Sequence, residues 1–287
     1  MKEEWMMAVF NDNSNFVEII YTMKKYLTLV LIVITLSSCN FSDDEKVIEK
    51  RTVLELKTIR FNETSPECAT ANRRGCATLE ASYDVLKNEV SDSLNQTLST
   101  INESIYGVFA QAFIDVIPEG NLQLNESPDR FIGSFFKMHR KDQAEFEELI
   151  GYEIVNNVNV AHYTNHFVSI EQTIMTYLGG AHPNAIILYK TLDMKSGIEI
   201  NTYNWLSDTI SLKSAILTDI KRSMKMDQNT DLKDKGFFIS DQELSISTNI
   251  LIQKDSVSFM YNNYEIAPYV YGNFNITLPK EIVKMNY

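Results

Sequence analysis

Residues 152–192 read YEIVNNVNVAHYTNHFVSIEQTIMTYLGGAHPNAIILYKTL and contain three successive segments typical of β-strands. These segments are Tyr152–Val160, Phe167–Leu178 and Ala185–Leu192. Each is rich in β-branched and aromatic residues, and short polar or glycine-containing connections separate them. Consecutive strands joined so directly are expected to pair with one another in an antiparallel sheet.

Further strands are predicted on both sides of this stretch. The same signals occur at Val53–Phe61, Thr78–Tyr83, Leu244–Ile252, Val257–Tyr261 and Asn273–Leu278. Lys254-Asp255 separates two of these segments, which predicts a tight hairpin between them.

Three helices are predicted where apolar residues recur every three or four positions. The first carries Leu86, Val90, Leu94, Leu98, Ile101, Ile105 and Val108 on one face. The second is expected to begin at Ser127-Pro128 and to bury Phe131, Phe135, Met138, Phe146 and Leu149. The third carries Leu212, Ile216, Ile220 and Met224. Because the helices are segregated from the strand pairs, the pattern predicts an α+β fold with a mainly antiparallel sheet.

A secretory signal is predicted near the N-terminus. Lys24 and Lys25 precede the apolar run Leu27–Leu36, and the sequence Leu36-Ser37-Ser38-Cys39 has the form of a lipobox. Residues 1–38 are therefore predicted to be a signal peptide, with Met23 as a candidate true start. The alternative is a retained transmembrane anchor, but the run covers only about half of the roughly 20 residues that a spanning helix needs.

Lipidation of Cys39 would make the mature chain an extracytoplasmic lipoprotein. The modified residue would carry diacylglycerol on its sulfur and a further acyl chain, such as palmitate, on its amine, which anchors the chain firmly. Residues 39–50 form the lipidated tether, and its acidic run resembles a surface-export tag of outer-membrane lipoproteins. A merely solvated tether is an equally open interpretation of that run. We expect an outer-membrane location, with surface exposure left open.

The charge balance excludes some partners. The chain has 287 residues, of which 26 are basic and 38 acidic, giving a formal net charge of -12. No basic run is longer than Arg73-Arg74, and nucleic acid is therefore not expected as a partner. An acidic surface can steer a cationic protein toward it, although it can also serve only to keep the protein soluble.

Cys68 and Cys76 are the cysteines that remain once Cys39 is lipidated. In an oxidising compartment we expect them to form a disulfide. A metal-binding or redox pair is disfavoured because the spacing is not Cys-x-x-Cys and no histidine lies nearby in the sequence.

Two motifs suggest a family. They are Gly-Gly-Ala-His-Pro-Asn at 179–184 and Tyr-Asn-Asn-Tyr-Glu-Ile-Ala-Pro-Tyr at 261–269, which Gly272 follows. Together they resemble the extracytoplasmic domain of unknown function in RsiV-type lysozyme-sensing anti-sigma factors and PdaC-type peptidoglycan deacetylases. The resemblance implies a companion domain at 51–150 and the RsiV-like signature domain at 151–287.

The same resemblance suggests a ligand-binding site. Its candidate ligand-binding residues are His182, Asn184, Tyr261, Tyr264 and Tyr269, and its structural residues are Gly179, Gly180, Pro268 and Gly272. Tyrosines of this density suit a protein or glycan surface, because each offers an apolar ring and one polar group. Two alternatives stay open: His182 could simply lock the turn, and the tyrosines could pack in the core at a sheet edge.

The sequence predicts no catalytic or metal-binding motif. His162 and His166 form a His-x-x-x-His pattern, but the surrounding residues indicate strand and loop, where positions four apart lie roughly 13 Å from each other. Gly-x-Ser-x-Gly, Ser-x-x-Lys and P-loop patterns are absent from the sequence. We therefore predict no catalytic residues, no metal and no cofactor, although a pair of carboxylates that meet only in space stays open.

The sequence thus predicts a lipid-anchored protein of the cell envelope that binds a ligand without performing chemistry. The resemblance makes a lysozyme-like protein or a cell-wall glycan the expected ligand. No sigma-factor-binding unit, retained membrane span or deacetylase catalytic domain is recognised, so neither signalling nor that activity is carried over. One alternative is an enzyme that modifies peptidoglycan with His182 as acid or base. Another is a structural component of an envelope complex.

Overall fold

Five strands form the larger sheet of the computed structural model, which describes residues 54–69, 75–88, 92–146 and 151–286. Their bounds are Glu55–Thr64 (β1), Ala77–Lys87 (β2), Tyr152–Tyr163 (β3), Phe167–Tyr177 (β4) and Asn184–Asp193 (β5). The strands lie side by side in this same order. Neighbours run antiparallel except β2 and β3, which are parallel.

Two helices lie between β2 and β3 along the chain, because parallel neighbours need a crossover connection. These helices are Asp92–Val116 (α1) and Pro128–Glu145 (α2). They pack on one face of the sheet, and α1 buries Leu98, Ile101 and Ile105 of its predicted stripe and partly buries Val108. Val90 of that stripe lies outside the described residues. The first core contains Leu98, Ile101, Ile105, Phe109 and Phe113 from α1 together with Leu79, Ile154 and Val158 from the sheet.

The predicted start of the first helix is wrong. Leu86 fits the apolar period, yet it pairs with Leu56 as part of β2, and α1 begins only at Asp92. Leu86 is buried in the strand, and apolar spacing does not distinguish that position from a helical one. The side chain of Asn102 fixes the junction, since it accepts a hydrogen bond from the Leu86 nitrogen at 2.8 Å and donates one to its carbonyl at 2.9 Å.

The second helix begins at Pro128, as predicted, but it is shorter than its apolar pattern indicates. Phe131 and Phe135 are fully buried in the first core. Phe146 follows the end of α2 in an extended conformation and is 57% exposed, so its predicted burial is wrong. Leu149 lies outside the described residues.

A second, three-stranded sheet follows, and its neighbouring strands are antiparallel. Its strands are Ile250–Ile252 (β6), Ser256–Tyr261 (β7) and Phe274–Pro279 (β8). Helix Thr209–Ser223 (α3) precedes the sheet along the chain, and the short helix Lys280–Val283 (α4) follows it. The hairpin at Lys254-Asp255 is confirmed. The strand predicted from Leu244 is correct only for its last three residues, because Leu244 and Ile246 enter the second core outside any strand.

Two asparagine side chains bind the outer edge of β5. Asn249 accepts a hydrogen bond from the Tyr189 nitrogen at 2.6 Å and donates one to the Ile187 carbonyl at 2.7 Å. Asn262 accepts from the Ile187 nitrogen at 2.8 Å and donates to the same carbonyl at 3.0 Å. These amides satisfy backbone groups that an edge strand leaves unpaired, and they join the two sheets.

The architecture is α+β with mainly antiparallel sheets, as predicted. Residues 53–287 form one compact unit, and the predicted boundary near residue 150 falls between β2 and β3 of the same sheet. Within the described ranges, no helix combines the length and the apolar character needed to cross a membrane.

Candidate docking surface at the β4–β5 turn

The glycine motif forms the turn between β4 and β5. Gly179 and Gly180 have φ values of 84° and 113°, which glycine adopts far more readily than other residues. A Cβ on Gly180 would meet no atom within 4 Å, and the backbone conformation rather than space therefore favours glycine there. The Tyr177 hydroxyl donates a hydrogen bond to the Gly180 carbonyl at 3.1 Å.

The second motif forms the irregular segment between β7 and β8. Pro268 leads into a short 3-10 turn at Tyr269–Tyr271, and Gly272 ends it with a φ of 73°. Tyr264 also has a positive φ, 69°, which costs energy in a residue that carries a side chain. The surrounding bonds hold this conformation, including that from the Asn263 nitrogen to the Asn273 side chain at 2.7 Å.

The two motifs meet through their rings. The imidazole of His182 stacks on the ring of Tyr269, with centroids 4.4 Å apart and an angle of 22° between the planes. The ring of Tyr264 lies 5.7 Å from that of Tyr269. His182 and Tyr264 are exposed and Tyr269 is half-buried. Together with Val270, which is 86% exposed, these residues form what we call the aromatic surface.

Hydrogen bonds to Pro183 orient two of the rings. Nδ1 of His182 lies 2.9 Å from the Pro183 carbonyl, and a carbonyl only accepts, so Nδ1 carries the proton and donates. The Tyr269 hydroxyl donates to the same carbonyl at 3.5 Å. His182 therefore bonds within the turn while its ring stays exposed, and its role in ligand binding stays a prediction.

The other two predicted ligand-binding residues, Asn184 and Tyr261, lie in different environments. Asn184 is exposed at the first position of β5, at the end of the turn. Tyr261 is only 3% exposed, and its hydroxyl donates to the Ser245 carbonyl at 2.7 Å and accepts from the Ser247 nitrogen at 3.2 Å. Burial raises the pKa of Tyr261 to about 12. Its proposed contact with a ligand is corrected, because β7 is the central strand of its sheet and the ring belongs to the core.

Val270 is an exposed residue that was not among the predicted ligand-binding residues. It lies between Tyr269 and Tyr271 in the short 3-10 turn, and no sequence signal distinguished it from a buried valine. Phe238 is also 52% exposed, and its nitrogen donates to the Ile266 carbonyl at 2.9 Å, which brings it beside the same segment.

Asn262 positions the aromatic surface, because it begins the segment that carries Tyr264 and Tyr269 and also bonds to β5. We expect Asn262→Ala to lower the free energy of unfolding by about 2 kcal/mol, since the Ile187 nitrogen loses its side-chain partner in a half-buried place and the Ile187 carbonyl keeps only the bond from Asn249. Chemical denaturation measures the loss. Asn204→Ala, at an exposed asparagine, is the matched control and should change stability by less than about 0.5 kcal/mol. Equal effects of the two variants would contradict this role.

The histidine pair does not form a metal-binding arrangement. His162 lies on β3 with its ring centroid 6.1 Å from that of Phe167, and His166 lies in the turn before β4. The predicted strand and loop are therefore confirmed at this pair. Desolvation and the nearby Lys280 lower the pKa of His162. Among the described residues no three His, Cys, Asp or Glu side chains are grouped so that they could hold a metal ion.

The structure joins Cys68 and Cys76 in a disulfide. The bridge lies in the connection between β1 and β2, next to the end of β1 and the start of β2. Cys39, the signal peptide and the tether all lie outside the described residues.

Comparison with known proteins shows matches over two regions. Residues 71–185 match the family model described as deacetylase PdaC, and residues 207–281 match that of a protein of unknown function, DUF3298. One region of the chain is therefore similar to the PdaC model and another to the DUF3298 model, and the resemblance stated from the motifs is confirmed. This combination indicates a domain of the extracytoplasmic type whose function is unknown.

Two solved structures of DUF3298 family proteins are similar to this chain. A member of the DUF3298 family from Bacteroides fragilis has a TM-score of 0.57 at 16% identity, over 82% of this chain and 95% of that one. A DUF3298 family protein from Pseudomonas aeruginosa has a TM-score of 0.49 at 16% identity, over 80% of this chain and 94% of that one. No curated protein matches this chain. At this identity the first likeness establishes the fold alone.

Proposed function

We propose that this protein is a lipid-anchored, non-catalytic binding module of the cell envelope, and that the aromatic surface docks a lysozyme-like protein. The observation that carries the proposal is the row of rings formed by His182, Tyr269 and Tyr264 beside the protruding Val270. The row brings together the region matched by the PdaC model and the region matched by the DUF3298 model.

The physical argument rests on exposure combined with rigidity. Tyrosine is enriched among the residues that dominate binding energy, because its ring buries a large apolar area and keeps one polar group. Hydrogen bonds to the Pro183 carbonyl already fix His182 and Tyr269. Little conformational entropy is therefore lost when a partner covers them. Val270 is 86% exposed, so most of its side chain is available to a partner.

Charge supports a cationic partner. The chain has a formal net charge of -12, and many lysozymes are cationic. Long-range attraction between opposite charges raises the association rate and weakens as salt is added. The lipid at Cys39, in an outer-membrane location, would hold the module where such a hydrolase meets the envelope.

A lysozyme titration at low and high salt tests the proposal. We expect saturable binding at low salt, weaker binding at high salt, and a loss of roughly 30-fold for Val270→Asp, which corresponds to about 2 kcal/mol. The matched control is Ile210→Asp on α3, because Ile210 is 85% exposed and lies outside both motifs. Absence of saturable binding at low salt, or equal losses in the two variants, would refute lysozyme docking on this surface.

The match to the deacetylase model favours a second test, for an enzyme that modifies peptidoglycan. Purified cell wall is incubated with the protein, and released acetate and new reducing ends are measured. If the protein releases acetate or reducing ends and His182→Ala abolishes this activity, the protein is an enzyme and the non-catalytic function is refuted. Stoichiometric capture of envelope proteins from detergent-solubilised membranes, unchanged in Val270→Asp, would instead indicate a structural component of a complex.

A further inference from the structure

β1 is the edge of the larger sheet, and no described strand follows it on the side away from β2. None of its ten residues is buried, and seven of them are exposed. Such an edge leaves a row of backbone N–H and C=O groups that can pair with another strand. The opposite edge of the sheet differs, because the side chains of Asn249 and Asn262 already bind the backbone of β5.

The side chains of β1 alternate between two environments. Phe61 points toward α1, since its ring centroid lies 6.2 Å from that of Phe109. Ile59 shares this helix side of the strand and is half-buried. Thr58 lies on the other side, where its hydroxyl donates a hydrogen bond to Asp84 at 2.7 Å. The free edge therefore combines half-buried apolar groups on the helix side with polar groups on the other side.

The charges of this edge restrict which strand can pair with it. Among the residues that the structure describes, Lys57, Arg60 and Glu63 form no ion pair. Lys57 and Glu63 lie near opposite ends of β1, on the same side as Ile59. Charged side chains on an edge oppose pairing with most strands, but a strand that carries the opposite charge at each matching position removes that penalty. A matching partner therefore places an acidic residue opposite Lys57 and a basic residue opposite Glu63.

We propose that β1 pairs with β1 of a second copy of this chain, with Arg60 opposite Arg60 on a twofold axis perpendicular to the sheet. The two strands then run antiparallel, and the helices of both copies lie on the same face of the joined sheet. Each Lys57 lies opposite the partner's Glu63, and each Ile59 lies opposite the partner's Phe61. Residues 56–64 all pair, and outward-facing backbone groups meet outward-facing backbone groups.

Other registers fit less well. A twofold axis that passes between two residues would place helix-side groups opposite groups of the other side, because side chains alternate along a strand. An axis at Ile59 brings Glu55 opposite the partner's Glu63, and like charges directly opposite are destabilising. An axis at Phe61 carries Lys57 past the paired part of the strand. The register centred on Arg60 therefore combines the longest pairing with matched charges.

The two Arg60 guanidinium groups at the axis repel one another, and acidic neighbours offset this repulsion. Arg60 pairs with Ser82 on β2, and Glu80 and Asp84 stand two positions to either side of Ser82 on the same face. Diagonal cross-strand neighbours of this kind are within reach of a long side chain. Each copy therefore supplies carboxylates next to its own arginine.

The pairing joins two five-stranded sheets into one and leaves the aromatic surface free in both copies, because that surface lies at the β4–β5 turn, away from β1. The interface does not rest on the proposed function. If the aromatic surface does dock a partner, a dimer presents two such surfaces and increases avidity for a partner that is itself clustered.

Disulfide trapping in membranes that carry the full chain tests the register. We expect Arg60→Cys to form a disulfide-linked dimer under mild oxidation, because Cα atoms that face each other across the axis lie roughly 4.5–5.5 Å apart, within disulfide range. Asn62→Cys is the matched control, since its two copies would lie roughly 14 Å apart along the strands. The parent chain controls for bridging through Cys39.

Charge exchange tests the matched pairs independently. Sedimentation equilibrium of the full chain in density-matched detergent gives the dissociation constant of the dimer. Lys57→Glu and Glu63→Lys should each weaken association by roughly tenfold, because each variant replaces two attractive pairs by two repulsive ones. The double variant should return to within about threefold of the parent chain. Glu55→Lys, outside the paired residues, is the control and should stay within about twofold.

The proposal is overturned if the parent chain stays monomeric in both experiments, or if the double variant associates no better than the single ones. Bridging through Asn62→Cys as efficient as that through Arg60→Cys would refute the register. An Arg60→Cys adduct with the mass of a different protein would show that the edge of β1 takes another partner, and would refute self-pairing.

Discussion

Phe109→Ala is expected to lower the free energy of unfolding by about 4 kcal/mol, because truncating a buried phenylalanine removes apolar burial and leaves a cavity. Phe109 is 1% exposed at the centre of α1. Its ring lies 4.9 Å from that of Tyr83 and 5.2 Å from that of Phe113, measured between centroids. Aromatic pairs of this kind add roughly 0.5 to 1.5 kcal/mol beyond their area.

Chemical denaturation monitored by circular dichroism gives this loss. Phe146→Ala serves as the control, since Phe146 follows α2 and is 57% exposed, and it should cost less than about 0.5 kcal/mol. A loss below about 2 kcal/mol for Phe109→Ala would show that the cluster collapses around the cavity or is not the centre of the first core.

Lys221→Met is the second large effect, with an expected loss of about 3 kcal/mol. The side chain of Lys221 is 2% exposed on α3, and its Nζ donates to Oδ2 of Asp241 and to the Gln228 carbonyl at 2.9 Å. Asp241 also accepts a hydrogen bond from the Leu232 nitrogen at 3.0 Å. Removing the ammonium leaves this carboxylate without its counterion, and two loops lose a common anchor.

Lys213→Met on the same helix is the control for Lys221→Met. Its ammonium also donates to a carbonyl, that of Gln242 at 2.6 Å, but in an exposed place. This control should cost less than about 0.5 kcal/mol. The double variant Lys221→Met with Asp241→Leu should recover part of the loss, because an apolar pair leaves no buried charge unpaired. Equal effects of the two lysine variants would refute a buried ion pair that anchors the loops.

Local sequence patterns predicted the strands and helices well where the apolar residues follow a single clear period. The strands Tyr152–Tyr163, Phe167–Tyr177 and Asn184–Asp193 appear where β-branched and aromatic runs indicated them. The third helix follows its apolar stripe in the same way. Leu86 shows the limit of this prediction. A buried apolar residue fits the end of a strand as well as the face of a helix, and only its pairing with Leu56 assigns it to β2.

The candidate site was predicted less completely, for a related reason. Gly179 and Gly180 were identified because positive φ angles favour glycine whatever surrounds them. Tyr261 and Tyr269 look alike in the sequence, yet one is buried in the central strand of a sheet and the other stacks on His182 at the surface. Composition does not separate core tyrosines from surface tyrosines, because the phenol ring suits both.

The sequence by itself determined most of the strands and helices but not all of their bounds, together with the pairing of Cys68 with Cys76 and the two motifs that resemble the family. These depend on local periodicity, backbone conformation and short spacing. Only the tertiary structure decided that Tyr269 reaches the Pro183 carbonyl across 86 residues of chain, and that Tyr261 is buried in the central strand of its sheet. The physical reason is that both places depend on how separate elements pack against each other, and above all on the bonds by which Asn262 holds the second sheet to the edge of β5.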